Sequence, residues 1–286
     1  MRLRIGVHYD LRLGDSGTDP GGPDLGVLPE HAVAVEAAGG DIVWVAERPT
    51  EPDAWIASAL PVCAALAVRT KRLRVGTAVV PLLLHHPLRV AEDAATLDAL
   101  SEGRFELGVG LGGDRAALSS FGIEGEDRAE RLEEALELVK AAWRGPLQFS
   151  GRHFQVEGVE VAPQPVRPGG PPVWVGAGAP VSQRRAARLG AGLIHPVGTS
   201  SAPFLESWAA EGRDPAEARL AVLFPEAGPA GIASVESWLE ELPEAAQAAR
   251  VDLVLSVSQT APDLDKVVES VATLEKIREA RRDRIY

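Results

Sequence analysis

The chain has 286 residues and a formal net charge of −12, with 45% hydrophobic and 24% charged residues, which is typical of a globular protein. The negative charge disfavours nucleic acid as a partner, because phosphates would be repelled. No apolar run reaches the roughly 18–20 residues that a membrane span needs, so no membrane association is expected. With one cysteine, Cys63, no intrachain disulfide and no cysteine metal site can form. We therefore expect a cytoplasmic protein.

Short apolar runs recur along the chain, and each is followed by a stretch with helical spacing. Nearly continuous apolar runs are typical of strands that are buried on both faces of a parallel sheet. The eight predicted strands are Leu3–Tyr9, Asp41–Ala46, Leu73–Val80, Phe105–Val109, Pro172–Gly176, Gly192–Pro196, Arg219–Phe224 and Asp252–Val257.

The stretches between these runs carry helix signals, such as an early proline and a closing glycine. The eight predicted helices are Pro29–Ala38, Asp53–Arg69, Pro87–Leu100, Asp127–Trp143, Pro180–Leu189, Ala202–Glu211, Val235–Arg250 and Asp263–Arg281. Eight strand–helix units predict an α/β fold, a (β/α)8 TIM barrel, as a single domain over residues 1–286. A doubly wound sheet is the alternative.

Two segments interrupt this alternation. Residues 12–28 form a loop insertion rich in Gly, Pro and Asp, which is either disordered or a lid over the barrel mouth. Residues 147–156 are typical of a small hairpin that turns at Ser150-Gly151.

In a TIM barrel the active site is built from the loops at the carboxyl ends of the strands. The polar candidates there are His8, Glu47, Arg48 and His195. Glu47 is either a site residue or an ion-pair partner, for instance of Arg48. His195 is either a site residue or a structural histidine whose hydrogen bonds are satisfied. The consecutive histidines His85 and His86 do not have metal-ligand spacing, so no metal is expected.

Two glycine-rich loops follow predicted strands, Gly108–Gly113 and Gly176–Gly178. Free backbone N–H groups at a helix N-terminus can bind a phosphate, and glycine lets the ligand approach closely. Tight turns alone would explain either loop. Two such loops on adjacent strands favour an anionic cofactor.

The same region carries a family likeness. The stretch RLRVGTAVVPLLLHHPLRVAEDAATLDALSEGRFELGVGLGG, together with GGDIVWVAE and PPVWVGAGAP, closely resembles the luciferase-like monooxygenase superfamily. These TIM-barrel enzymes include bacterial luciferase, flavin-dependent monooxygenases and oxidoreductases that use coenzyme F420. The likeness extends from about Leu3 to Pro196 and is looser over the last third of the chain.

This resemblance implies a flavin or deazaflavin ring stacked over the third strand, where the family carries a non-prolyl cis peptide that maps to Ala78-Val79. The ring and its phosphate-bearing arm would contact the cofactor-binding candidates Ala78, Val79, Gly110, Leu111, Gly176, Ala177, Gly178 and Pro196.

Three positions depart from the family pattern. Arg48 stands where many F420-dependent members have histidine, and Gly113 stands where some deazaflavin dehydrogenases have a catalytic glutamate. Leu111 stands where bacterial luciferase has a phosphate-binding arginine. The resemblance therefore implies F420 ahead of FMN, and it disfavours sugar-phosphate dehydrogenation and light emission.

The leading hypothesis is hydride transfer between F420 and an unknown small organic substrate. His8, Glu47 and His195 would relay protons, and Arg48 would stabilise an anionic ring or substrate. One alternative is an FMN-dependent monooxygenase that uses O2 and reduced flavin from a partner flavin reductase. Another is a catalytically degenerate cofactor-binding barrel. The resemblance also implies a homodimer.

Overall fold

The computed structural model describes residues 2–11, 24–51, 54, 56–112, 115–124, 127–242, 249–257 and 263–281. Within these ranges the strands are β1 (Arg2–Tyr9), β2 (Ile42–Val45), β3 (Arg74–Thr77), β4 (Val80–Pro81), β5 (Phe105–Gly110), β6 (Leu147–Ser150), β7 (Gln155–Val159), β8 (Val173–Gly176), β9 (Gly192–Pro196), β10 (Arg219–Glu226) and β11 (Arg250–Val257).

The α-helices of the same ranges alternate with these strands. They are α1 (Leu28–Ala37), α2 (Ala59–Arg69), α3 (Pro87–Leu100), α4 (Arg115–Ser120), α5 (Arg128–Ala142), α6 (Pro180–Arg188), α7 (Ala202–Ala210), α8 (Pro229–Glu240) and α9 (Leu264–Ala280). In the described part of the chain, no helix combines the length and the apolar character that crossing a membrane requires.

The strands close into a parallel barrel. Around it they follow the order β1, β2, β3, β5, β8, β9, β10 and β11, and β11 pairs with β1 to complete the circle. The short strand β4 continues β3 and pairs with the carboxyl end of β5. The prediction of a (β/α)8 TIM barrel is therefore confirmed. Strands β6 and β7 form a separate antiparallel hairpin in the predicted segment.

Side chains alternate along each barrel strand between the helix layer and the barrel interior. On β1, Ile5, Val7 and Tyr9 belong to the large core that packs under the helices. A second, smaller core fills the middle of the barrel and consists of Ile42, Trp44, Trp174, Ile194, Ala221 and Val254.

Two tryptophans dominate this inner core. The rings of Trp44 and Trp174 meet edge to face with their centroids 5.2 Å apart. A Cβ on Gly76 would lie 2.5 Å from Trp44, and a Cβ on Gly192 would lie 2.4 Å from Trp174, so glycine is required where these rings pack. The two indoles fill the barrel between its two ends, and each end is left with its own cavity.

The predicted third strand, Leu73–Val80, was wrong as a continuous element. The peptide bond between Ala78 and Val79 is cis, as the resemblance implied, and it separates β3 from β4. The loop after β5 also contains a short helix, α4, that the sequence pattern did not predict.

Two predicted helix starts were also wrong. Helix α2 begins at Ala59 rather than Asp53, because Pro61 has no N–H group and fits only within a first turn. Helix α8 begins at Pro229 rather than Val235, where the proline suits the first helical position, and it ends at Glu240. Most of the predicted loop insertion, residues 12–23, lies outside the described residues, as does Gly113.

Candidate active site

A cavity of about 370 Å³ opens at the carboxyl ends of the barrel strands, on the side where TIM-barrel active sites lie. Residues that follow β2, β3, β5 and β8 form it, with α4 as one wall. The lining consists of Ala46, Glu47, Arg48, Pro49, Glu51, Ala78, Val79, Pro81, Leu84, Gly110, Leu111, Gly112, Ala117, Leu118 and Gly176.

The floor of the cavity is the segment Ala78–Pro81, and its central side chain is Val79. A Cβ on Gly110 would lie 2.7 Å from Val79 Cγ2, and one on Gly176 would lie 3.0 Å from Val79 Cγ1. A side chain at either position would press on Val79, so glycine lets these two backbones pack against Val79 where they line the cavity. Five predicted cofactor-binding residues meet here: Ala78, Val79, Gly110, Leu111 and Gly176.

Glu47 lies in the cavity wall, and both of its carboxylate oxygens have partners. Oε1 is 2.8 Å from His85 Nε2, and Oε2 accepts a hydrogen bond of 2.9 Å from the backbone N–H of Ala59 at the start of α2. The predicted ion pair of Glu47 with Arg48 was therefore wrong, because the carboxylate pairs with His85. Glu47 instead joins the end of β2 to α2 and to the loop that carries His85.

Arg48 is held at the mouth of the cavity by carboxylates on two neighbouring loops. Its Nε and Nη2 donate hydrogen bonds to the two oxygens of Asp10, at 2.5 and 2.7 Å, and Nη1 lies 3.5 Å from Glu51. The bond to Asp10 outweighs partial burial and raises the pKa of Arg48 above its ordinary value. The guanidinium is thus oriented by a bidentate pair that balances its charge.

His8 lies inside the barrel, directly below the cavity floor. Its side chain is buried, and Nε2 is 3.1 Å from the carbonyl oxygen of Ala78. A carbonyl only accepts, so Nε2 carries the proton in this bond. Burial lowers the pKa of His8, and nearby Asp10 opposes this only in part. His8 is therefore a neutral imidazole that binds the floor, and it does not line the cavity.

The structure does not bring His195 to this site. The alternation along β9 places Ile194 in the inner core, so His195 lies on the helix-facing side of the strand, in register with the core residue Val222. Its Nδ1 is 3.0 Å from the carbonyl oxygen of Pro196, and burial lowers its pKa. His195 is buried as the structural alternative requires, but over the described ranges its Nε2 has no hydrogen-bond partner, so it is not a fully satisfied histidine.

The remaining cofactor-binding candidates lie beside the cavity and do not line it. Ala177 is buried and donates a backbone hydrogen bond to Ile194, whereas Gly178 and Pro196 are exposed. A Cβ on Gly178 would meet no atom within 4 Å, so the space above this loop is open. Gly178 leads into α6, whose N-cap residue Ala179 provides no side-chain cap.

Several lining residues were not predicted as site residues. Leu84, Ala117 and Leu118 are ordinary apolar residues, and only the fold shows that they reach the cavity. His85 does not itself line the cavity but pairs with Glu47, which does. The sequence pattern excluded it as a metal ligand and predicted no other role for it. Its position shortly after a strand end was the available signal, but its pairing with Glu47 depends on tertiary structure.

A family model described as luciferase-like monooxygenase matches residues 5–282. The chain belongs to this family. Among curated relatives, the F420-dependent glucose-6-phosphate dehydrogenase of Amycolatopsis mediterranei is 33% identical over 181 residues, covering 58% of this chain and 52% of that protein. The oxygenase component of the flavin-dependent trigonelline monooxygenase of Acinetobacter baylyi is 32% identical over 127 residues, covering 44% of this chain and 35% of that protein.

The chain thus spans about half or less of the length of these relatives. A solved structure of similar fold is that of monooxygenase RslO1 from Streptomyces bottropensis, with a TM-score of 0.80 and 17% identity, covering 96% of this chain and 98% of that one. At this identity the likeness shows the fold, which is the luciferase-like TIM barrel.

Proposed function

We propose that this protein is an oxidoreductase that transfers a hydride between coenzyme F420 and a small organic substrate. The observation that carries the proposal is the open cavity over Ala78–Pro81. It lies at the carboxyl ends of the strands, and glycine-containing loops form part of its wall. Family membership supports it, because curated relatives include F420-dependent dehydrogenases.

The residues present fit a flat redox cofactor. The cavity volume of about 370 Å³ lies within the roughly 300–1,000 Å³ of small-molecule sites. Its floor and one wall are apolar, with Val79, Pro81, Leu111 and Leu118 available to contact a ring. A phosphate-bearing arm would leave over exposed Gly178, where the N-terminus of α6 offers backbone N–H groups to an anion.

When bound, F420 supplies a ring carbon that accepts or donates a hydride. The apolar lining would exclude water from that carbon and hold the substrate close to it. Arg48, oriented by Asp10, would offer its remaining guanidinium N–H groups at the mouth as hydrogen-bond donors to a ring edge or substrate. Glu47 and His85, 2.8 Å apart, would hold the exchangeable proton in the wall.

The substrate class differs from that of the glucose-6-phosphate dehydrogenases among the relatives. Gly113 stands where the family resemblance places a catalytic glutamate of some deazaflavin dehydrogenases. A glycine cannot exchange a proton with a sugar hydroxyl. We therefore infer an organic substrate other than a sugar phosphate.

A fluorescence titration tests this proposal. Titration with the full chain should quench the fluorescence of F420 until the signal saturates, with a micromolar dissociation constant. FMN should bind at least tenfold more weakly. Arg48→Ala should weaken F420 binding about tenfold, which corresponds to roughly 1.4 kcal/mol. The matched control is Arg89→Ala, whose side chain is 69% exposed on α3. Absence of quenching, or equal effects of the two variants, would contradict the proposal.

An FMN-dependent monooxygenase is the second candidate, and the similarity to the trigonelline monooxygenase component favours it. In that case reduced FMN would come from a partner flavin reductase. Tighter binding of FMN than of F420 in the same titration would select this candidate. The open cavity argues against a degenerate barrel whose mouth is filled by side chains.

A further inference from the structure

A second cavity, of about 290 Å³, lies at the amino ends of the barrel strands, opposite the candidate active site. The Trp44–Trp174 pair of the inner core separates the two. We name this cavity the arginine pocket. Its lining consists of Arg2, Arg4, Arg74, Glu106, Arg167, Pro172, Trp174, Arg219, Arg250 and Asp252.

Three of these arginines stand side by side in the barrel wall. Arg2 begins β1, Arg250 begins β11 and Arg219 begins β10, and the strand register places Arg250 beside each of the other two. Neighbouring strands are only about 4.8 Å apart, and like charges on directly paired residues are destabilising. The row therefore concentrates positive charge at one point of a protein whose net charge is −12.

The carboxylates of the pocket are already committed to other arginines. Arg4 donates to Glu106 and Asp252 at 2.6–2.7 Å, and Arg74 also pairs with Glu106. These bonds satisfy the two acids that line the pocket. Neither acid is therefore left to pair with Arg2, Arg250 or Arg219.

Arg167 is paired with Asp98, behind the pocket wall. Among the described residues, no carboxylate forms an ion pair with Arg2, Arg219 or Arg250. In the part of the chain that the structure describes, Arg219 donates to the carbonyl of Val173 at 3.3 Å, and its guanidinium lies 5.2 Å from the centroid of the Trp174 ring.

The electrostatic effect of the row reaches its neighbours. Burial lowers the pKa of Arg219, and adjacent Arg250 lowers it further against the pull of Glu106. On α5, burial together with Arg219 and two other arginines lowers the pKa of Lys140 to about 8. Burial is the largest cause of both shifts, and the repulsion from neighbouring arginines adds to it.

We propose that the arginine pocket binds a phosphate group carrying two or more negative charges. Three arginines from three adjacent strands line this one cavity. A tetrahedral phosphate presents oxygens in several directions, whereas a single carboxylate presents two in one plane. Six arginines line the pocket, and Glu106, Asp252 and the Asp98 that pairs with Arg167 leave an excess of three positive charges, which a multivalent anion neutralises. Both free polyphosphate and a phosphate monoester have this chemistry.

Calorimetry and thermal unfolding of the full chain with inorganic pyrophosphate test the proposal. Glycerol phosphate serves as a phosphate monoester for comparison, and NaCl at equal ionic strength is the reference. Pyrophosphate should bind with a stoichiometry of one. It should raise the melting temperature by about 5 °C at a hundredfold excess over its dissociation constant. Tighter binding of pyrophosphate would indicate a polyphosphate as the ligand, and tighter binding of glycerol phosphate would indicate a phosphate monoester.

Two single variants, Arg2→Gln and Arg250→Gln, should each weaken binding at least tenfold. In anion-free buffer each should also raise the melting temperature, because removing one charge relieves repulsion within the row. Both residues are exposed at strand starts, so the fold should persist, and Arg89→Gln is the surface control. An equal shift in NaCl, or unchanged binding by both variants, would overturn the proposal. F420 titration reports on the other end of the barrel, so the two proposals fail independently.

Discussion

At the scale of single residues, the candidate site is organised by side chains that bind protein groups as well as facing the cavity. Glu47 shows this most clearly, because one oxygen pairs with His85 while the other accepts the first free N–H of α2. Its carboxylate is buried, so each partner lost leaves a polar group without compensation. The position of Glu47 after a buried strand predicted a site residue or an ion-pair partner, but it did not predict which groups the carboxylate would bind.

Glu47→Ala should lower the free energy of unfolding by about 1–2 kcal/mol, because α2 loses its cap and His85 loses its partner. Glu47→Gln keeps an acceptor for Ala59 and should cost less than half as much. Urea denaturation of both variants beside the parent measures this difference. If the two variants were equally stable, the capping role of Glu47 would be wrong.

At the scale of elements, the critical junction lies under the cavity floor, where the end of β3 contacts the middle of β5. The side chain of Thr77 bridges it, since Oγ1 donates to the carbonyl of Gly108 at 2.7 Å and accepts from the N–H of Gly108 at 2.9 Å. A hydroxyl here replaces the regular ladder between the two strands. The sequence run Leu73–Val80 reads as a single strand because hydrophobicity does not register this break.

Gly108→Ala should destabilise the protein by roughly 3 kcal/mol or more, because the added Cβ would lie 1.9 Å from the carbonyl oxygen of Thr77. Gly178→Ala is the matched control. It sits in the next glycine loop with nothing within 4 Å, and we expect a change within about 0.5 kcal/mol. Thermal unfolding of the pair checks this. Similar melting temperatures would show that the bridge tolerates a methyl group.

At the scale of the whole molecule, a buried carboxylate ties the barrel together at its amino end. Glu106 on β5 pairs with Arg4 of β1 and Arg74 of β3, and it accepts a hydrogen bond of 2.6 Å from Trp174 Nε1 on β8. Burial alone would raise the pKa of Glu106, but the two guanidinium groups outweigh it and hold the pKa well below its usual range.

Glu106→Gln should lower the free energy of unfolding by about 3–5 kcal/mol, because buried arginines lose their counter-charge. The depressed pKa adds a pH dependence. The stabilisation by Glu106 is complete above its unfolded pKa of about 4.5 and is lost as the pH falls through the folded value. Urea denaturation at pH 7 and pH 3 should therefore show a smaller loss of stability between these pH values for the variant than for the parent. A variant as stable as the parent at pH 7 would exclude this role.

The sequence by itself determined the architecture. Period-two and period-3.6 patterns are local properties, and eight alternations of them leave few ways to bury the apolar runs. It also placed Glu47, Arg48 and the Gly110 and Gly176 loops at one end of the barrel, since parallel strands present their carboxyl ends together. The family stretch predicted the unusual peptide at Ala78-Val79.

Only the tertiary structure decided which way each side chain points and what it touches. His195 ends a strand as predicted, yet a shift of one residue along a strand turns a side chain to the opposite face, and it lies under the helices. The pairing of Glu47 with His85, and the row of Arg2, Arg250 and Arg219, join residues that are far apart in the chain. Strand register brings such residues together, and no local pattern encodes it.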